Sequence, residues 1–238
     1  SPQDVTMSSF SGWGPTDDGR IKPDLVAKGV DVYSALAGSD DDYGTFSGTS
    51  MSSPIVSGSV ALLQEHYRSL HGGRHPRAST VKALLAQTAD EAGPLGPDHT
   101  FGGGLMNVAA AARLITTDAE GAGNYLREAV LQEGEVLERD VLSAGKDTLM
   151  VTIAWTDPAG TPPDRTLNPS ERMLVNDLDV RVEGPDGTEH RPYVLDASSP
   201  EAPAATGDND RDNIEQVFIE DPAKGTYTVR VSHEGTLR

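Results

Sequence analysis

The apolar residues of this 238-residue chain change period near residue 120, and one layer of structure cannot satisfy both patterns. Up to about residue 118 the chain is rich in Ser, Ala and Gly, and its apolar residues recur at helical spacing. From about residue 123 onward they alternate with polar residues, as in strands lying on a core. The break predicts two domains, residues 1–120 and residues 124–238, with a linker over residues 116–124 that carries Gly121 and Gly123.

In the first region, residues 31–36 read as a short strand, and Gly44-Thr45-Phe46 leads into a turn. Apolar positions Met51, Ile55, Leu62 and Tyr67, with Val56, Val60 and Leu63 beside them, then predict a helix with a wide apolar face, buried in a domain core. Ser79 is a candidate cap for a helix bearing Val81, Leu84, Leu85 and Thr88. Asn107 is a candidate cap for another through Ala109, Ala112 and Leu114. Strands alternating with helices predict an α/β arrangement on a parallel sheet.

The segment Ser47-Gly48-Thr49-Ser50-Met51-Ser52-Ser53-Pro54 carries the chemistry. A helix beginning near Ser50 aims unpaired N–H groups and the positive end of its dipole at negative charge developing beside that hydroxyl. Gly48 permits close backbone approach, and Pro54 fits a first helical turn, whose N–H groups lack intrahelical partners. Ser-Gly-Thr-Ser alone reads as an ordinary capped loop entering a helix. The longer pattern Gly-Thr-Ser-Met-x-x-Pro, followed by a small and apolar helix, resembles the nucleophile segment of the subtilisin-like serine proteases, and the resemblance makes Ser50 the nucleophile.

A second block resembles the same family: Ser9-Phe10-Ser11-Gly12-Trp13-Gly14-Pro15, then Lys22-Pro23-Asp24-Leu25-Val26-Ala27-Lys28-Gly29. Trp13, Lys28, Ser52 and Ile55 depart from the family's usual Arg, Pro, Ala and His, and none of these changes removes the hydroxyl. The family's triad runs Asp, His, Ser along the chain, whereas His66, His71, His75, His99, His190 and His233 all follow Ser50. The resemblance therefore implies the C-terminal part of a peptidase domain, whose Asp, His and oxyanion Asn lie in an N-terminal half outside this sequence. A serine without its base is a poor nucleophile, so the fragment alone is expected to be inactive. Gly102-Gly103-Gly104-Leu105-Met106-Asn107-Val108 resembles the glycine-rich approach to the last helix of that domain.

In the second region Leu149, Val151, Ile153 and Trp155 alternate with Met150, Thr152 and Ala154. Leu178, Val180 and Val182 alternate with Asp177, Asp179 and Arg181, and Tyr227, Val229 and Val231 with Thr226, Thr228 and Arg230. Each such strand is expected to have one wet face, and Pro185-Asp186-Gly187 marks a turn. An all-β antiparallel sandwich or jelly roll is expected. The segments Thr152–Asp157, Leu174–Asp179, Asp212–Val217 and Gly225–Val229 resemble the C-terminal β-barrel of some secreted bacterial subtilases, in which a further strand follows, so an unpaired sheet edge is expected here.

Asp208, Asp210 and Asp212, joined by Asp177 and Asp179 on one strand face and by Asp157, supply the clustered oxygens that a structural Ca²⁺ takes. A solvated acidic loop explains the same residues equally well. The EF-hand pattern fails, because Asn213 stands where its glycine belongs. No cofactor is expected for catalysis.

The formal charge of −18 argues against nucleic acid or anionic membrane as partners. Absence of cysteine removes disulfides and thiolate chemistry. The resemblance implies an extracellular, secreted serine endopeptidase acting on protein or peptide substrates. The alternative is a non-catalytic subtilase-derived binding or scaffold protein that uses its β-domain.

Overall fold

A computed structural model describes residues 4–121 and 125–238. Ser1, at the start of the first expected domain, and Gly123 and Asn124, in the expected linker, lie outside the described residues.

The first region opens with a hairpin, β1 (Val32–Ala35) and β2 (Tyr43–Phe46), followed by helices α1 (Thr49–Leu70), α2 (Ala78–Thr88) and α3 (Val108–Ala119). The strands pair antiparallel, Val32 opposite Phe46 and Ala35 opposite Tyr43. The expected parallel sheet is not formed among the described residues, where parallel pairing is confined to the isolated bridge between Val26 and Leu105. The connection from β1 to β2 is too short for a crossover, which needs a dozen or more residues, so the strands fold back on each other.

The helix core joins Leu63 and Tyr67 of α1, Leu84 and Leu85 of α2, and Ala111 and Ile115 of α3. Helix α1 is therefore not buried along its length. Its buried side chains are Leu63 and Tyr67, and Leu62 is 64% exposed. On α3 the buried stripe is Ala111 and Ile115, with Ala109 exposed. Asn107 caps α3 as expected, its side chain accepting from the Ala110 N–H at 2.9 Å. Ser79 does not cap α2, which starts at Ala78. Glu128 from beyond the linker accepts from the Arg77 N–H (2.9 Å) and the Thr80 hydroxyl (2.5 Å). The expected linker also begins too early, since α3 continues through Ala119.

The glycine-rich segment lies against the Asp24–Val26 backbone. Gly103 N–H donates to Asp24 O, Val26 N–H to Gly104 O, and Met106 N–H to Val26 O. A side chain at Gly102, whose φ is +62°, would collide with the carbonyls of Pro23 and Asp24.

The second region holds eight strands: β3 (Leu137–Ser143), β4 (Leu149–Ala154), β5 (Asp177–Glu183), β6 (Glu189–His190), β7 (Tyr193–Val194), β8 (Ala205–Thr206), β9 (Ile214–Ile219) and β10 (Gly225–Glu234). They form antiparallel sheets in the orders β3-β10-β5-β6, β4-β9 and β7-β8. The core cluster spans two of these sheets, with Val180, Val182, Tyr227 and Val229 on one and Val217 and Ile219 on the other. Strand β3 pairs with β10 on one side, which leaves the other side as an open edge. Gly187, with φ +83°, closes the turn between β5 and β6 as the Pro-Asp-Gly signal predicts.

Strand β4 departs from the expectation of one wet face. Leu149, Val151 and Ile153 pack on the core, while the opposite face meets α2. Gln87 donates to Met150 O (3.2 Å) and accepts from the Thr152 hydroxyl (2.6 Å). Further clasps join the two regions: Ile21 N–H to Asp212 (2.9 Å), Lys82 to Asn213 (2.8 Å), and Arg211 to the Asp18 carbonyl (3.1 Å).

Candidate functional site

Ser50 is the second residue of α1, one step past Thr49, and its side chain is exposed. Two tethers fix the helix start. Gly48 N–H donates to Gly29 O at 2.8 Å, and Ser47 Oγ accepts from the Asp31 N–H at 2.9 Å. Added to Gly29, a methyl group would stand 3.0 Å from Gly48 O and 3.3 Å from Ser52 Cβ, so glycine there permits the close approach. Gly48 itself is extended and open to a side chain. The need for glycine therefore lies at Gly29 rather than at Gly48.

No side chain caps this helix and its first turn carries no acid. The positive end of the dipole is thus not neutralised locally and faces the solvent beside Ser50. Pro54 is the sixth helical residue, deeper than a first-turn proline. Lacking an N–H, it cannot bond the Ser50 carbonyl four residues back.

Among the described residues Ser50 Oγ has no hydrogen-bond partner, and no histidine bonds it. His66 bonds the Thr116 hydroxyl at 2.9 Å. His71 stacks on Tyr67, with ring centroids 3.8 Å apart, and meets Asp118 at 3.2 Å. That His-Asp pair sits at the far end of α1, about 30 Å along the axis from Ser50 at 1.5 Å per residue, so it serves the helix core. His233 accepts from the Gly134 N–H at 2.7 Å. His99 is buried with neither ring nitrogen partnered, and burial holds its pKa below the ordinary 6.5, in the neutral form.

The six aspartates expected to hold a cation fall into separate settings, and among the described residues no three acidic or histidine side chains gather as a metal cage. Asp157 accepts from the Val175 and Asn176 N–H groups at 2.7 and 2.8 Å. Asp212 accepts from Ile21 N–H and from the Asn209 amide, and burial raises its pKa. Asp177 and Asp179 do converge with the acidic loop, but through arginines. Arg172 bridges Asp177 (2.8 Å) and Asp210 (3.8 Å), and Arg181 bridges Asp179 (2.8 Å) and Asp208. Guanidinium groups supply the positive charge for which a cation was expected. Arg181 was legible in the sequence, since it follows Asp177 and Asp179 on the same strand face. Arg172 lies in an irregular segment with no periodic signal.

Glu215 carries no signal of its own either. It shares the core face of β9 with Val217 and Ile219. Its Oε2 accepts from the Val180 N–H at 2.6 Å, and its Oε1 has no partner. Burial, opposed by that N–H and reinforced by Asp179, pushes its pKa from 4.5 up to about 8.

The curated C5a peptidase of Streptococcus pyogenes is 37% identical over 123 residues, covering 48% of this chain and 10% of its own length. Minor extracellular protease Vpr of Bacillus subtilis is 32% identical over 136 residues, 51% of this chain and 16% of its own. A serine protease/ABC transporter B family protein of Dictyostelium discoideum, tagA, is 28% identical over 208 residues. That match covers 74% of this chain, so it reaches into the β-rich region, and 11% of the relative. The chain thus spans between 10% and 16% of the length of these relatives.

Among solved structures, a lanthipeptide protease is 33% identical over 31% of this chain and 22% of its own, with a TM-score of 0.29. A serine protease of Aeromonas sobria is 18% identical over 82% of this chain and 39% of its own, with a TM-score of 0.31. Residues 2–104, the stretch that holds Ser50 and the Lys22-Pro23-Asp24 segment, match the model of the Subtilase family.

Proposed function

We propose that this chain is the nucleophile-bearing part of a subtilisin-type serine endopeptidase, with Ser50 attacking the scissile carbonyl of a protein or peptide substrate. The observation that carries the reading is an exposed serine in the first turn of a helix that has neither cap nor acid there. Unpaired N–H groups at that turn are placed to stabilise the oxyanion of a tetrahedral intermediate. The Asp and His that would activate Ser50, and the oxyanion Asn, belong to a part of the parent protein outside this sequence. The chain alone is then inert, and the relatives' names support an extracellular location. Among the described residues no helix is long and apolar enough to cross a membrane.

The alternative is a non-catalytic subtilase-derived binding or scaffold protein that uses its β-domain. Covalent labelling with a fluorophosphonate, read by intact mass, separates the two. The full-length parent should gain one adduct, while its Ser50→Ala variant and this chain alone should gain none. A folded, processed parent that takes no adduct would make the binding reading the correct one. Peptide turnover by this chain alone, abolished by Ser50→Ala, would contradict its inertness.

A further inference from the structure

The hairpin that feeds the helix start leaves one face bare. Tyr33 pairs with Thr45 and Ala35 with Tyr43, so these four residues share a face, and all four are exposed. Tyr33 and Tyr43 stack across it with centroids 5.9 Å apart and planes 23° from parallel. They are 69% and 55% exposed, a large aromatic surface to leave in water.

Charge around this face has one sign. Asp31 precedes β1, while Asp40, Asp41 and Asp42 lie in the β1–β2 connection, and no Lys or Arg occurs between Lys28 and Arg68. In the acidic loop of the second region Asp210 pairs with Arg172 and Asp208 with Arg181. By contrast, the carboxylates of Asp40, Asp41 and Asp42 have no ion pair among the described residues.

We propose that this face docks the substrate polypeptide through an extended Lys- or Arg-bearing segment that flanks the scissile bond. The inference rests on the protease reading of Ser50 and names a substrate class for it. Long cationic side chains suit both halves of the surface. Their stems and guanidinium planes cover tyrosine rings, and their charged ends reach the aspartates. The hairpin is also held to the site, because the Gly48–Gly29 and Asp31–Ser47 hydrogen bonds fasten its base to the helix start. Tyr43 lies seven residues before Ser50, so the two are within about 25 Å even along a fully extended chain. A docked residue therefore lies within about seven positions of the bond cleaved, at the same extended rise.

The test is fluorescence anisotropy on the Ser50→Ala form of this chain. The probes are fluorescein-labelled decapeptides identical except for Lys and Arg, Gln, or Glu at alternate positions. The cationic peptide should bind about tenfold tighter than the neutral one at low salt, with the advantage shrinking as salt rises. A triple Asp40→Asn, Asp41→Asn, Asp42→Asn variant should lose that advantage. Tyr33→Ala with Tyr43→Ala should weaken both the cationic and neutral peptides severalfold.

A distant control, Asp147→Asn with Glu201→Gln and Asp221→Asn, should leave the preference intact. If the preference survives the hairpin variants, or falls equally in the control, net charge alone explains it and the proposal is wrong. Hairpin variants that change the sedimentation mass instead of peptide affinity would make a second copy the occupant, which also overturns it. Fluorophosphonate labelling keeps the two readings apart. A labelled parent with no cationic preference sinks the docking face alone, whereas an unlabelled parent with the preference intact sinks the protease reading and with it the substrate role.

Discussion

The β-rich region and the serine end of the first region are closed to very different degrees. Between the sheets Val180 and Val182 are fully buried, Val217 is 1% exposed and Tyr227 2%. Helix α1, the longest in the molecule, buries only Leu63 and Tyr67, both in its second half. Its first half carries half-buried Met51, Ile55 and Val56, while Ser50 and the bare face of the hairpin before it lie in solvent. The first region is thus packed at the end away from the serine, against α2, α3 and β4, and presents the serine end as surface. Stability and candidate chemistry are carried by opposite ends of one helix.

The sharpest way to break that contrast uses two tyrosines. Tyr227→Ala empties a core position and should cost about 3–5 kcal/mol, as large aromatic truncations do. Tyr33→Ala, in the open hairpin, should change stability by less than about 0.5 kcal/mol. Urea unfolding of both variants checks this. Equal losses would mean that the hairpin face is packed in solution.

Next in size is a pH effect confined to the closed region. The folded state holds the Glu215 proton up to about pH 8, whereas an unstrained carboxyl releases it near 4.5. Between those values the unfolded chain binds fewer protons than the folded one, so stability falls as pH rises through this window. Asp179, raised in the same direction by burial, adds to the decline. Glu215→Gln should flatten the urea midpoint between pH 5 and 8, and the gain over the parent chain at pH 8 should be up to about 3 kcal/mol. A wild-type midpoint that rises with pH across this range would refute the assignment.

Asp212→Ala should cost less, about 1–3 kcal/mol, because it strands the Ile21 N–H and the Asn209 amide at the joint between regions. The loss should appear as a splitting of the unfolding transition as the regions uncouple. A single transition with an unchanged midpoint would show that the joint is held by α2 and β4 alone.

The parts legible in the sequence were those fixed by local periodicity and capping. Strands β4, β5 and β10, the Asn107 cap, the Gly187 turn and a helix starting beside Ser50 all follow from residues within a few positions of one another. What escaped depended on partners distant in the chain. Glu128 caps α2 from beyond the linker, α2 covers the outer face of β4, and Arg172 and Arg181 take the acidic loop. Glu215 reads as a surface acid until β5 is laid beside β9. The serine itself was legible by motif, but its exposure was not. The apolar spacing along α1 predicts a buried face, and only the positions of α2 and α3 show that just half of that face is covered.

Two neighbouring leucines test that half-covered helix most directly. Leu62 and Leu63 are neighbours on α1 with the same side chain and the same helix propensity, yet they are 64% and 3% exposed. Leu63→Ala removes contacts with the helix core and should cost about 2–5 kcal/mol. Leu62→Ala removes little buried area and, because Ala favours the helix slightly more than Leu, should stay within about 0.5 kcal/mol of the parent. The comparison cancels any change in backbone preference, so the difference between the two midpoints reports coverage alone. If Leu62→Ala costs as much as Leu63→Ala, another surface covers that face of α1 in solution, and the serine end is then as closed as the β-rich region.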